Sequence, residues 1–370
     1  MSASGSRAVG GAAAISRGRM LVAMSGGVDS SVAAALALRE GYEAIGVTLQ
    51  LAGGGSRCCS LADADDARRV ARHLGIRHFV ANQAEQFRRE VMEPFADAYL
   101  AGRTPIPCVT CNSRFKFDLL LERARVFGAE RVASGHYARV ERDPESGLFR
   151  LLRAADRAKD QTYFLFQLTQ AQLAAVHFPL GGLTKPAVRA LARELGLATA
   201  EKPESQEICF VPGGDTAGAV EALRPGAAPG EGEIVDRSGR RLGRHPGIHH
   251  FTVGQRRGLR LSAGRRLYVA ALDAAANRVV VGEGAELDAP GARLSDVSWI
   301  AGAPPAAPVR ARVCVRYRHA GEWAEIAPGS AGGAALRFEA PVRALARGQA
   351  AVFYDGDAVL GGGWIEGPLP

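Results

Sequence analysis

The sequence predicts an α/β protein: an N-terminal doubly wound parallel sheet, a small β-rich central domain and a C-terminal β-barrel. Up to about residue 135, apolar strand-like runs alternate with helical patterns, which is typical of a parallel sheet covered by helices on both faces. Beyond residue 211, Pro and Gly interrupt the chain and short β-like runs dominate. The predicted divisions are a disordered tail (1–19), an α/β domain (20–211), the central domain (212–288) and the barrel (289–370).

Periodicity predicts the elements of the α/β domain in order. The predicted strands are 20–23, 45–51, 78–80 and 131–133, and the predicted helices are 32–40, 60–74, 83–100 and 112–127. A hairpin over 137–153 and an interrupted helix over 169–196 follow. The later β-like runs are 233–236, 250–253, 267–272, 279–281, 309–317, 334–338 and 350–354. Ligands of such sheets bind beyond the carboxyl ends of the strands, so the turns after the first and fourth strands should share one edge.

A Ser/Gly-rich turn, Ser-Gly-Gly-Val-Asp-Ser, follows the first strand and begins at Ser25. Two glycines allow close backbone approach, and the next helix offers its N–H groups and dipole to an anion. The turn lacks the Gly-Lys-Ser/Thr ending of a Walker loop, so it implies no γ-phosphate lysine. It resembles the pyrophosphate loop of ATP pyrophosphatases, which split ATP between the α and β phosphates. The alternative is an ordinary turn in a parallel sheet.

Composition constrains the partners. The 370 residues carry a formal net charge of +8, which permits a polyanionic partner such as RNA. Only four of the 46 basic residues are lysines. No apolar run approaches the ~20 residues that cross a bilayer, so no membrane is expected. Residues 1–19 contain no acid; we favour a disordered tail over an organellar transit peptide, and a cytoplasmic location.

The cysteines predict chemistry rather than disulfide bracing. Cys108 and Cys111 form a CxxC after a proline-containing loop, and we expect Cys111 at or just before a helix N-terminus, where the dipole, Arg114 and Lys116 lower a thiol pKa. Cys209 follows a polar segment whose folding can bring it to Cys111 above the nucleotide site. No second CxxC exists, so a Cys₄ zinc site is not expected.

The motifs taken together resemble one enzyme family. In chain order they are SGGVDSSV, AGRTPxPCxxCN, SGHYA, KDQTYFL, ExCFV, GQRxGL, RYR and PGQAAVFYDGDxxLGGG, allowing for one departure in the last, where this chain has Arg347-Gly348 without the proline. They are similar to the tRNA-specific 2-thiouridylase family from about residue 20 to the C-terminus. The resemblance implies an adenine nucleotide alpha hydrolase-like fold. It also implies ATP with Mg²⁺, adenylation of O2 of the wobble uridine (U34) of tRNA, and replacement of that oxygen by sulfur with release of AMP and pyrophosphate.

The resemblance also implies site residues. Cys209 would carry a persulfide delivered by a sulfur-donor protein or a desulfurase relay. Cys111 would act as the nucleophile, which either releases sulfide from that persulfide or forms a disulfide with Cys209. Some members have aspartate where this chain has Cys108. Cys108, Cys111 and Cys209 can instead hold a [4Fe–4S] cluster, and both routes stay open. The implied ATP contacts are Ala23, Met24, Ser25, Gly26, Gly27, Val28, Asp29, Ser30, Leu49 and Gly135.

The tRNA contacts expected from the sequence combine cations, hydrogen-bonding groups and one aromatic ring. They are His136, Lys159, Asp160, Gln161, Arg316, Tyr317 and Gln349. Each has an ordinary alternative as a surface charge, cap or strand-end residue. Cys58 and Cys59 follow the second strand, where we expect local packing or a loop role rather than catalysis, and Cys314 is expected in a core. The rival hypotheses are an ATP pyrophosphatase that adenylates a small metabolite and an RNA-binding protein with ATP or a cluster as a structural ligand.

Overall fold

The computed structural model describes residues 17–51, 61–204, 207–261 and 264–369. The predicted tail therefore lies almost wholly outside the described residues, as do Ser60, the expected first residue of the second helix, and the cysteine pair at 58 and 59. No helix within the described ranges combines the length and apolar character needed to span a bilayer.

The strands and α-helices of the described residues are numbered in chain order. The strands are β1 (Arg19–Ala23), β2 (Glu43–Gln50), β3 (Arg77–Asn82), β4 (Arg131–Ala133), β5 (Ala138–Arg142), β6 (Phe149–Arg153), β7 (Val176–His177), β8 (Gly232–Asp236), β9 (Arg241–His245), β10 (Tyr268–Asp273), β11 (Arg278–Gly282), β12 (Asp288–Trp299), β13 (Val309–Cys314), β14 (Glu322–Pro328), β15 (Ala334–Arg343), β16 (Ala350–Asp355) and β17 (Ala358–Pro368). The α-helices are α1 (Val28–Arg39), α2 (Leu61–His73), α3 (Ala84–Phe87), α4 (Glu93–Leu100), α5 (Pro107–Thr110), α6 (Asp118–Val126), α7 (Gln170–Ala175), α8 (Lys185–Glu194) and α9 (Thr216–Leu223). Two π-helical segments, Arg88–Met92 and Cys111–Phe117, join α3 to α4 and α5 to α6.

The N-terminal sheet is parallel, with strand order β3-β2-β1-β4-β7. Its central strand β1 is buried on both faces: Leu21 belongs to the apolar cluster on one side, and Met20 and Val22 belong to the cluster on the other. Burial on both faces explains why β1 is a continuous apolar run rather than an alternating one. The predicted α/β class is confirmed, and the turns after β1 and β4 emerge side by side.

The helix that carries the CxxC begins earlier than expected. Pro107 occupies its first turn, where a missing N–H costs nothing, and helical backbone continues through Cys111 to Val126. The prediction that Cys111 lies at or before a helix N-terminus is therefore wrong. Cys108 lies in the first turn, and Cys111 lies one turn further in and is buried. Cys108 is therefore the thiol closer to the helix N-terminus.

Several elements beyond the first four strands differ from the predictions. Residues 250–253 form no strand, because the chain turns there in a 3₁₀ helix, Ile248–His250. The fifth parallel strand β7 has only two residues, too few for a periodic signal. The strand β9 and the helix α9 were also not expected. The central sheet has the order β10-β11-β8-β9.

The C-terminal strands form a closed barrel, because the order β12-β15-β14-β13-β16-β17 ends with β17 paired to β12. The hairpin β5–β6 of the α/β domain extends this sheet, with Leu151 opposite Val359 and Leu152 opposite Ala358. One apolar cluster also joins Val109 of α5 to Val352 in the barrel. The barrel is thereby held against the helix that carries the cysteines.

Candidate functional site

A cavity of ≈ 1140 Å³ opens at the carboxyl edge of the parallel sheet, bounded by the Ser/Gly-rich turn, α5, the segment around Cys209 and the barrel. It exceeds the ~300–1,000 Å³ typical of small-molecule sites. The polar and cysteine side chains that line it are Ser25, Asp29, Asp63, Tyr99, Thr104, Cys108, Cys111, Asn112, Lys116, His136, Tyr137, Lys159, Gln161, Tyr163, Lys185, Lys202, Glu204, Glu207, Cys209, Tyr317, Arg318 and Gln349.

The turn after β1 is held by its own polar groups. The Ser25 N–H donates to Ser30 Oγ at 3.1 Å, and Ser30 Oγ donates to the Gly27 carbonyl at 3.0 Å. Gly26 has φ +72°, and a Cβ there would lie 2.1 Å from the Asp63 carbonyl oxygen, so only glycine fits. Gly27 provides no side-chain cap for α1. The first N–H groups of α1 are therefore oriented for an anion.

The turns after β1 and β4 meet through Gly135. A Cβ on Gly135 would lie 2.8 Å from both the Asp29 carbonyl carbon and the Ser30 nitrogen. Tyr137, two residues on, donates its hydroxyl to Asp29 Oδ1 at 2.9 Å. The missing side chain thus lets β4 touch the first turn of α1, as the shared-edge prediction requires.

The residues expected to contact ATP divide into two groups. Ser25, Gly27, Val28 and Asp29 line the cavity. The other six do not line it: they are Ala23, Met24, Gly26 and Ser30 in β1 or the start of α1 and the turn between them, Leu49 in β2, and Gly135 in the turn after β4. Met24 and Leu49 are buried in the apolar clusters on the two faces of the sheet. The roles of both groups in ATP binding stay predictions.

All four lysines of the chain, Lys116, Lys159, Lys185 and Lys202, line this one cavity. Elsewhere the basic residues are arginine. An ammonium is a compact charge with rotatable donors, whereas the guanidinium is a rigid fork. The sequence reasoning missed Lys185 and Lys202, although the scarcity of lysine in an arginine-rich chain was the signal that could have identified them.

The most buried of these lysines, Lys185, bridges two carboxylates. Its Nζ lies 2.7 Å from both oxygens of Asp29 and 2.9 Å from Glu204 Oε1. Lys159 Nζ contacts the other oxygen of Glu204 at 2.6 Å, and Arg189 approaches Oε1 at 3.7 Å. Burial raises the pKa of Glu204, but hydrogen bonds from Lys159 and Lys185 outweigh it and hold that pKa at about 2.

Lys202 ties the turn to α2. Its Nζ donates to the Gly26 carbonyl at 3.0 Å and contacts Asp63 at 2.6 Å and Asp66 at 2.5 Å. Burial lowers the pKa of Lys202, but the two aspartates raise it by more, so the ammonium stays charged. Lys202 thus fixes the backbone of the turn through side-chain contacts that the sequence pattern does not reveal.

The two thiols expected to be catalytic, Cys111 and Cys209, line the same cavity, as does Cys108, expected only as a cluster ligand. Cys111 belongs to the apolar cluster on one face of the sheet, and Cys209 packs against that cluster. Phe210 anchors the Cys209 segment through edge contacts with Phe87 and Phe95, at ring-centroid distances of 5.8 and 5.1 Å. None of the described cysteines forms a disulfide with another of them. Cys314, the last residue of β13, is buried, as expected of a core thiol, and burial raises its pKa.

Of the residues expected to contact tRNA, five line the cavity: His136, Lys159, Gln161, Tyr317 and Gln349. Tyr317 packs near Phe164, with ring centroids 4.5 Å apart. Gln161 accepts the Tyr137 N–H at 2.9 Å, and Gln349 donates to the Thr104 carbonyl at 2.9 Å.

His136 is a neutral group in this structure. Its ring lies between Phe117 and Phe178, and its Nδ1 is 2.8 Å from Ser134 Oγ. Burial, with a smaller effect of Lys116, lowers the pKa of His136 to about 3. His136 can therefore offer hydrogen bonds and ring contact, but no charge, to RNA at neutral pH.

Asp160 and Arg316 lie outside the cavity lining. Asp160 is buried and accepts hydrogen bonds from the Ala154 N–H at 3.0 Å and the Thr162 hydroxyl at 2.7 Å. Arg316 donates to the Arg343 carbonyl at 3.3 Å. Asp160 thus braces the loop that presents Lys159 and Gln161, and contact of either residue with tRNA stays a prediction.

Within the described ranges, the group of side chains with metal-ligand geometry is Glu221 of α9 with His249 and His250. His249 Nε2 lies 3.0 Å from Glu221, which itself is half exposed. None of the three lines the cavity. The expected iron–sulfur ligands Cys108, Cys111 and Cys209 are not such a group, because their sulfur atoms do not all lie within 4.8 Å of one another.

Family models cover most of the chain. The tRNA methyl transferase HUP domain matches residues 18–213, the tRNA methyl transferase PRC-barrel domain 223–283, and the aminomethyltransferase beta-barrel domain 290–365. The chain is 52% identical to the tRNA-specific 2-thiouridylase MnmA of Solibacter usitatus over 364 residues, covering 93% of this chain and 98% of the relative. It is 51% identical to the protein of that name from Geobacter metallireducens over 363 residues, covering 95% and 98%.

Proposed function

The chain belongs to the tRNA-specific 2-thiouridylase family, and from this premise we propose that it replaces O2 of the wobble uridine (U34) of tRNA by sulfur at the expense of ATP. The observation that carries the proposal is the shared cavity: the anion-binding turn, three thiols and the barrel's aromatic side chain all line it. An ATP pyrophosphatase that adenylates a small metabolite would not need three thiols beside the turn, whereas this chain has Cys108, Cys111 and Cys209 there.

The first step is adenylation. Uracil O2 attacks the α-phosphorus of ATP, the bond from that phosphorus to the bridging oxygen breaks, and pyrophosphate leaves. The N–H groups at the start of α1 and the nearby lysines stabilise the charge on the leaving pyrophosphate. Mg²⁺ would accompany ATP, and the carboxylates of Asp29 and Asp63, which line the cavity, would offer it oxygen ligands of the kind this ion prefers.

The second step transfers sulfur. In the persulfide route, the terminal sulfur on Cys209 attacks C2 of the adenylated uracil, and AMP leaves with the former O2. The Cys111 thiolate then attacks the Cys209 sulfur, which forms a Cys111–Cys209 disulfide and leaves the sulfur on uridine. A sulfur-donor protein reloads Cys209 after a thiol reductant has cleaved the disulfide. The packing of Cys209 against the cluster that contains Cys111 supports this pairing.

The cluster route uses the same thiols. Three thiolates lining one cavity fit the ligand preference of a [4Fe–4S] cluster, which would leave one iron to bind sulfide. Cys108, Cys111 and Cys209 would hold the cluster. Iron and acid-labile sulfide after anaerobic purification decide between the two routes: about four of each per chain supports the cluster, and their absence in active protein supports the persulfide.

The test of the function uses purified protein, ATP, tRNA and a sulfide or persulfide donor. We expect 2-thiouridine and AMP to form in equal amounts. Cys111→Ser and Cys209→Ser should each abolish thiolation, whereas the buried Cys314→Ser should retain it. Thiolation at the parent rate by either variant would remove that cysteine from its role, and tRNA that stays unthiolated by the parent protein would refute the proposal.

A further inference from the structure

The cations nearest the anion-binding turn are already neutralised by carboxylates. Lys159, Lys185, Lys202 and Arg189 are paired with four acids, Asp29, Asp63, Asp66 and Glu204. Asp66 also pairs with Arg69, so five cations and four carboxylates largely cancel within this network. An ATP phosphate chain that enters it must therefore displace a carboxylate, or add several uncompensated charges in a partly dry site.

Glu204 is the carboxylate best placed to be displaced. Asp29 is fixed in the first turn of α1 and also accepts the Tyr137 hydroxyl. Asp63 and Asp66 lie on α2 and share Lys202, which holds the turn itself. Glu204 lies outside helix and strand, and its oxygens contact the cations Lys159, Lys185 and Arg189.

We propose that Glu204 is an internal counter-ion that occupies the ATP phosphate position at Lys185 and, by the same exchange, controls when Lys159 can bind tRNA. Phosphate oxygens take over Lys185, and Glu204 leaves both lysines. Lys159 then has no counter-ion and can pair with the RNA backbone. After adenylation, return of the carboxylate to Lys185 assists the departure of pyrophosphate. The inference deepens, and rests on, the proposed thiolation function.

The geometry makes this coupling specific to one side chain. One carboxylate contacts Lys185 with Oε1 at 2.9 Å and Lys159 with Oε2 at 2.6 Å, so neither lysine can change partner without affecting the other. Its low pKa keeps it ionised at physiological pH. ATP and tRNA should therefore bind with positive cooperativity, each raising the affinity for the other by the same factor.

The first test measures the binding of inorganic pyrophosphate by calorimetry, without tRNA or a sulfur donor. Glu204→Gln keeps the size of the side chain and removes its charge, so it should bind pyrophosphate about tenfold more tightly, the scale of one charge-assisted hydrogen bond. Glu201→Gln, a change on the same segment at an exposed residue that pairs with Arg193 and does not line the cavity, should bind like the parent. Unchanged or weaker binding by Glu204→Gln, with a native near-ultraviolet spectrum, overturns the inference.

The second test measures the salt dependence of tRNA binding with and without α,β-methylene ATP. In the parent, the analogue should steepen the slope of log K against log salt by about 1, the effect of one more phosphate contact. In Glu204→Gln the slope should be steep already and insensitive to the analogue. A parent slope that the analogue leaves unchanged overturns the coupling. If tRNA does not bind at all, the proposed function fails, while the pyrophosphate measurement still judges the role of Glu204 at Lys185.

Discussion

Gly135→Ala should move the first turn of α1 and weaken ATP binding. The new Cβ would lie 2.8 Å from backbone atoms of Asp29 and Ser30, and ordinary contact begins at 3.4 Å. These are backbone atoms of the first turn of α1, so no flexible side chain can yield. The turn and β4 must separate by about 0.6 Å, at a cost of about 1–3 kcal/mol in folding free energy.

A displacement of that size lengthens the hydrogen bonds from the turn to phosphate. Losing one such bond to a charged group costs about 1.5–3 kcal/mol, which corresponds to a roughly 10- to 150-fold rise in the KM for ATP. The assay is steady-state AMP formation with saturating tRNA, beside thermal unfolding to show that the variant folds. Gly182→Ala is the matched control, because no heavy atom of the described residues lies within 4 Å of its Cβ position. A folded Gly135→Ala protein with a KM for ATP within twofold of the parent would refute this reasoning.

Three further changes test other parts of the site. Lys202→Met leaves the carboxylate of Asp63 without its ammonium, so we expect a loss of about 1–3 kcal/mol in the free energy of unfolding by urea; an unchanged value would show that the ion pairs contribute nothing. His136 has its pKa lowered from 6.5 to about 3, so its ring proton shifts in NMR should not titrate between pH 8 and 5. The unfolded chain takes up this proton at a higher pH than the folded chain, so the free energy of unfolding should fall as the pH drops from about 6.5 towards 3, and it should fall less steeply in His136→Gln. An NMR titration midpoint near 6.5 for His136 in the folded protein would contradict the burial argument. Gly348 has φ +86°, and a Cβ there would lie 3.2 Å from the Thr104 nitrogen. Gly348→Ala should therefore weaken tRNA binding, measured by filter binding, more than ATP binding, measured by calorimetry. Equal losses in the two affinities would place the defect elsewhere.

The nucleotide half of the site could be predicted because its signal is local. The turn from Ser25 to Ser30 lies between a buried strand and a helix in sequence, and the carboxyl-edge rule then places Gly135 beside it. The motif order also indicated the family and the barrel. Local pattern places the start of the cysteine helix at Asn112, a residue type favoured at helix N-termini, but the helix begins at Pro107, which fits the first turn without losing a hydrogen bond.

The charge network could not be predicted because its members are distant in sequence. Lys185 lies 156 residues from Asp29, and only the fold places both beside Glu204. The same is true of the hairpin β5–β6, whose alternation indicates two strands but not that Leu151 pairs with Val359 of the barrel. Local pattern fixes which faces are apolar, whereas side-chain partners across domains depend on packing that no short window contains.

The fate of the uridine oxygen tests the central claim most directly. tRNA labelled with ¹⁸O at O2 of the wobble uridine is incubated with the protein, ATP and a sulfur donor, and the AMP is examined by mass spectrometry. The account predicts one ¹⁸O in each AMP for every 2-thiouridine formed, because the oxygen leaves with the phosphorus that activated it. Unlabelled AMP accompanying full thiolation would contradict adenylation of the base.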